Sequence, residues 1–151
     1  MERRLTEERI TRSMLSWLKD NGWEIVSYDY PQSGTGYSLH SKSRSGGSKN
    51  SGVIIPDIVA VKQDTAIFFE NKVDFNLVDI EAISILRGSR LYDDSISTLL
   101  KPFNEAKKIA FGIALKETPN NLKKITEYQS SLDFAFLVSQ DLAINLCLGS
   151  I

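Results

Sequence analysis

The chain has one cysteine, Cys147, and one histidine, His40. A lone cysteine excludes an intrachain disulfide, and its place in the apolar stretch 142–148 marks it as a buried, inert thiol. One histidine and one cysteine exclude zinc centres built from several such ligands. They also argue against hydrolytic mechanisms that need several histidines. A Gly-rich phosphate loop of the P-loop type is missing too. Long hydrophobic runs are absent: the longest, 109–115, is far too short to span a bilayer. The opening residues Met1-Glu2-Arg3-Arg4 carry charge where a secretory signal would be apolar. Together these absences lead us to expect a cytoplasmic protein with no membrane partner. Neither sign of charge dominates, with 18 Lys and Arg against 19 Asp and Glu and a formal net charge of −1. Any polyanionic partner must then be met by local clusters rather than by overall charge.

What is present describes one domain. The 151 residues are 42% hydrophobic and 25% charged, enough for a real core in a soluble globule. Residues 6–21 read as an amphipathic helix, with Ile10, Met14, Trp17 and Leu18 on one stripe and Gly22 placed to end it. Residues 23–30 read as a strand stopped by Pro31. The segment 31–52 is dominated by Ser and Gly and reads as a flexible basic loop within the single domain 1–151. It holds Lys42, Arg44 and Lys49 but no acidic residue. A long loop of this kind is often functional, and these cations together with Gln32 are candidates to clamp a phosphate backbone. A solvated insertion reads equally well from composition. Downstream, Asn76 reads as an N-cap supported by Asp79, and a well-buried helix spans 77–86. Asp94 or Ser95 is placed to cap a short helix through Leu100. Residues 109–115 suit a central strand covered on both faces. Thr118-Pro119 opens a further helix, and strands follow over 134–138 and 142–148. The order α-β-β-β-α-(α)-β-α-β-β predicts an α/β fold with a mixed sheet flanked by helices.

The chemistry concentrates in two apolar runs. Ile55-Pro56-Asp57-Ile58-Val59-Ala60-Val61 and Phe68-Phe69-Glu70-Asn71-Lys72 both read as strands, and Lys62-Gln63-Asp64-Thr65 between them reads as a hairpin turn. A loop of two or of four residues pairs Asp57 directly with Glu70. A three-residue loop would break that register. Directly opposed residues share a face, with Cβ atoms about 4.5–5.5 Å apart. Strand alternation puts Lys72 on the face of Glu70. Two opposed carboxylates destabilise a hairpin unless something offsets their charge. A divalent cation would do so, and hard oxygen ligands suit Mg²⁺.

Pro56-Asp57, twelve residues, then Glu70-Asn71-Lys72 resembles the motif of the PD-(D/E)XK nuclease superfamily, also called restriction-endonuclease-like. The resemblance covers about residues 7–86 and implies an αβββαβ core. It implies a metal-dependent endonuclease that hydrolyses DNA, with Asp57 and Glu70 holding Mg²⁺, or Mn²⁺ in its place. Lys72 would orient or activate the attacking water and stabilise charge on the phosphate. Many members carry an acid on the first helix that contributes to the metal site. On a helical wheel Glu7 falls on the stripe's own face and Glu8 at its edge, so Glu7 is the first choice. Glutamates in a first turn also simply complement the helix dipole. Within the class, a small restriction-type endonuclease fits best, acting as a homodimer or beside a larger sequence-recognising subunit. Glu8-Arg9, Gly22-Trp23 and the Ser/Gly loop before Pro56-Asp57 are also similar to Holliday-junction resolvases. A non-catalytic nuclease-fold module for DNA binding or assembly is the alternative of a different class.

Overall fold

The computed structural model describes residues 4–30, 35–41, 53–103 and 106–151. Its first helix, α1 (Glu7–Asp20), starts where Thr6 accepts a hydrogen bond from the backbone N–H of Arg9. Ile10, Met14 and Leu18 are fully buried along it, the stripe that the i, i+4, i+8 spacing predicts. Gly22 takes a positive φ of 86°, which lets the chain reverse into β1 (Glu24–Tyr28). Two short strands, β2 (Leu39–His40) and β3 (Val53–Ile54), pair as a separate antiparallel ribbon. The segment 31–52 is therefore not structureless throughout. Leu39 is fully buried and the His40 N–H donates to Ser95 Oγ, so one apolar residue among Ser and Gly anchors it to the body.

The main sheet has six strands in the order β1-β4-β5-β6-β7-β8. The hairpin of β4 (Ile58–Lys62) and β5 (Thr65–Lys72) occupies its centre left, with Lys62 opposite Thr65. The connecting loop is thus the two-residue Gln63-Asp64, and Gln63 adopts φ 53° to make it. Helices α2 (Leu77–Gly88) and α3 (Asp93–Leu100) form the crossover to β6 (Lys108–Lys116), which runs parallel to β5. Helix α4 (Pro119–Glu127) and a 3₁₀ turn (Gln129–Ser131) lead to β7 (Phe134–Val138), parallel to β6. The last strand, β8 (Ile144–Leu148), returns antiparallel. It starts two residues later than the apolar pattern suggests, because Leu142 takes φ 68° in the turn. The α3 start also differs from expectation: Tyr92 is its N-cap and no side chain caps it.

Strand alternation sorts the core into two layers. Ile58, Ile67, Phe69, Phe134 and Phe136 face α1, and Val59, Phe68, Phe111, Ile113 and Leu137 face the crossover helices. Phe68 and Phe69 are both fully buried on opposite faces, each contributing about 1.5–3 kcal/mol. Gly112 admits Phe134 so closely that any Cβ would collide with its carbonyl oxygen and ring.

One polar residue locks the end of the sheet that carries Lys72. Asn121, on α4 and fully buried, accepts from the Phe75 N–H and donates to the carbonyls of Val73 and Lys116. Asn121→Ala removes three part-buried hydrogen bonds to the backbone and leaves the Phe75 N–H without its partner. It should lower stability by about 2–4 kcal/mol, read as a shifted midpoint in urea denaturation.

Candidate active site

The two-residue turn fixes where the acids fall. Asp57 lies one step beyond the Ile58–Phe69 pair, so it faces Glu70 on the crossover-helix side of the sheet. Its backbone is held from both neighbours: the Asp57 N–H donates to Phe69 O, and the Asp29 N–H donates to Asp57 O. Both residues are at least nine-tenths buried, and their carboxyls lie within hydrogen-bonding reach of each other. Burial pushes the Asp57 carboxyl up to about 6, against the Asn71 N–H that donates to its Oδ2 at 2.7 Å. Glu70 is held well above the ordinary carboxylate range by burial first and then by the charge of Asp57.

Lys72 ends β5 and reaches over the sheet end, where its Nζ stands 3.5 Å from Glu7 Oε1 of α1. Burial alone would lower its ammonium, but Asp79, Glu7 and Asp57 hold it above its ordinary value. Glu8, the alternative helix acid, instead pairs with Arg12 at 3.5 Å on an exposed face. The structure therefore brings Asp57, Glu70, Lys72 and Glu7 to one end of the sheet. Gln32, Lys42, Arg44 and Lys49 lie outside the described residues.

Two residues enter the site that pattern reading assigned elsewhere or passed over. Asp79, expected to support the Asn76 cap, does not do so. The Asn76 side chain caps α2 by accepting from the Val78 N–H. Asp79 Oδ2 is buried with no hydrogen-bond partner, and the residue shares a crevice with Glu70 and Lys72. Burial raises its carboxyl while Lys72 pulls it back down. Asn71, between the two motif residues, points to the other face. Its Nδ2 donates to Thr11 Oγ1, which donates to the Glu7 carbonyl. That chain of bonds sets the start of α1 against β5 and carries Glu7 to Lys72.

The donor set can be tested against a cation. Among the described residues no three Asp, Glu, His or Cys side chains form a metal cage by themselves. Asp57 and Glu70 offer carboxylate oxygens only, both strained by mutual repulsion, with the partnerless Asp79 Oδ2 nearby. That suits Mg²⁺, which binds through one or two carboxylates and keeps water and phosphate oxygens for its remaining positions. The chain matches no family model, no curated protein and no solved structure with which it was compared.

The acid pair makes stability depend on pH. A native pKa above the unfolded value means that this contribution is complete near pH 4 and is lost as pH rises through about 6. Asp57→Asn removes the charge and keeps the shape. Without divalent cations, variant and wild type should be nearly equal in stability at about pH 4. At about pH 7.5 the variant should be more stable by about 2–3 kcal/mol. Urea denaturation in chelator across this range measures the difference, and a gap that narrows with rising pH would contradict a buried acid pair.

Proposed function

We propose that this protein is a Mg²⁺-dependent endonuclease acting on DNA, of the PD-(D/E)XK, restriction-endonuclease-like class. The observation that carries the reading is the opposition of Asp57 and Glu70 on one buried face, with Lys72 two residues on. The element order supports it as well: a helix, then β1 and the β4–β5 hairpin, then the crossover to a parallel strand corresponds to an αβββαβ core.

Asp57 and Glu70 would hold the cation. When bound, it would supply Lewis-acid stabilisation of the phosphate and lower the pKa of its water. The chain's own residues do the rest. Lys72 is kept protonated by the acids around it, so it acts as a fixed cation that orients water and balances charge on the phosphate rather than as a base. Glu7 positions the Lys72 ammonium through their ion pair. Asn71 holds the Asp57 carboxylate through its N–H and holds α1 through its side chain. The burial of Phe68 and Phe69 keeps the hairpin rigid beneath them.

Restriction-type cutting is the leading form of this proposal, with a second copy of the chain or a larger sequence-reading subunit to address both strands. It requires cleavage of linear duplex, whereas cutting confined to four-way junctions would mark a resolvase. Purified protein should nick or cut DNA with Mg²⁺ or Mn²⁺ and not in chelator. Asp57→Ala, Glu70→Ala and Lys72→Ala should each lower kcat/KM by about a hundredfold or more, and Glu7→Gln by less. DNA binding without metal-dependent cleavage of any nucleic acid would instead identify a non-catalytic module.

A further inference from the structure

Between α1 and the edge strand β1 lies an open groove of about 490 Å³. Arg12 and Lys19 line one wall, Tyr28 and Tyr30 the other, and no Asp or Glu is in the lining among the described residues. Arg12 and Lys19 are seven residues apart, so they share a helix face and stand about 10 Å apart along its axis. The Tyr28 and Tyr30 rings stack with centroids 6.2 Å apart and planes 23° from parallel. The Arg12 guanidinium lies 5.3 Å from the Tyr30 ring centroid, and one of its nitrogens contacts both the Tyr30 hydroxyl and Glu8. That pinning pre-sets the guanidinium while leaving it largely exposed.

One end of the groove lies at the end of the sheet that carries the acid pair, on the face opposite to Asp57. Tyr28 sits opposite Ile58, and the next residue, Asp29, donates its N–H to Asp57 O. On the helix side Arg12 follows Glu7 by little more than one turn. From there the groove recedes toward Lys19 and Ile25. A polyanion lying in it would run to that end of the sheet, where Glu7 of α1 already reaches Lys72 across it. Cations along one wall suit successive phosphates. Stacked aromatic rings on the other suit bases whose faces are free, which a closed duplex does not present.

We propose that the groove between α1 and β1 binds an unpaired nucleic-acid strand on its way to the carboxylate site, with phosphates at Arg12 and Lys19 and a base against Tyr28. This rests on the nuclease reading of the site. It narrows the substrate to DNA with a single-stranded arm or an opened stretch beside the bond to be cut.

Fluorescence anisotropy in chelator tests it, with the full chain and two labelled DNAs: a blunt duplex and the same duplex with a single-stranded arm of about ten nucleotides. The arm should tighten binding about tenfold or more. Arg12→Gln with Lys19→Gln, both exposed, should abolish that gain and reduce the slope of log K against log salt by about 1–2. Tyr28→Leu, which keeps apolar packing, should weaken binding of the armed duplex about tenfold and leave the blunt duplex unchanged. Equal affinity for the two DNAs would overturn the proposal, as would unchanged binding in the variants. Full competition by polyglutamate would also overturn it, by marking the groove as a generic polyanion surface. Cleavage of blunt duplex with equal affinity for both DNAs leaves the nuclease reading standing and removes this one. Groove-dependent arm binding without metal-dependent cleavage does the reverse.

Discussion

Two carboxylates facing each other across a buried hairpin govern the surroundings of this site. Their repulsion is offset only in part within the protein: Lys72 lowers both carboxyls but is paired with Glu7, and the Asn71 N–H donates to Asp57 and not to Glu70. A proton shared by the pair, or a cation between them, relieves it. The rest of the hairpin is built to withstand the tension, with Phe68 and Phe69 buried on opposite faces and the Asp57 backbone bonded to strands on both sides. Such a pair costs the free protein stability, which a bound cation would restore.

The end of the sheet that holds the acids is also where the architecture converges. Strands β5, β6 and β7 run parallel, and their carboxyl ends lie together where open α/β sheets bind ligands. The start of α2 lies there as well, and the positive end of its dipole adds partial positive charge beside Glu70 and Asp79. From the opposite face, the Asn71–Thr11–Glu7 chain of hydrogen bonds docks the start of α1 at the same place. Glu7 and Asp79 thus come from helices on different sides of the sheet and meet around one lysine. Neither could do so from mid-strand; only a residue at a strand end is reachable from both layers.

The hairpin was legible because its information is local. Alternation and a two-residue turn determine that Asp57 meets Glu70, and the apolar stripe of α1 distinguishes Glu7 from Glu8 by one helical step. Asp79 was not legible, because the third position of a helix is equally suited to capping and to lining a site. Only the direction in which the β5–β6 crossover leaves the sheet separates the two roles, and that is tertiary. Leu39 escaped for a related reason: one apolar residue amid Ser and Gly has no period to read, yet it is fully buried. The groove cations were hidden on the polar side of an amphipathic helix, where Arg12 and Lys19 look like ordinary solvated charge until β1 is set beside them.

The balance of charge at the site links cation and substrate. Asp57, Glu70, Asp79 and Glu7 surround a single Lys72. With all four acids ionised, the cluster repels a phosphate, and the Lys72 ammonium is already neutralised by its neighbours. A divalent cation between Asp57 and Glu70 would reverse the local field, and it would weaken the hold of those acids on Lys72, freeing the ammonium to turn toward an incoming phosphate oxygen. Substrate and cation should then bind with positive coupling, each raising the affinity for the other by the same factor. The cationic groove lies outside this cluster, so it would hold a polyanion whether or not the cation is present. On the proposed reading, capture of the strand and admission of its phosphate to the acids would be separable steps, governed by different residues.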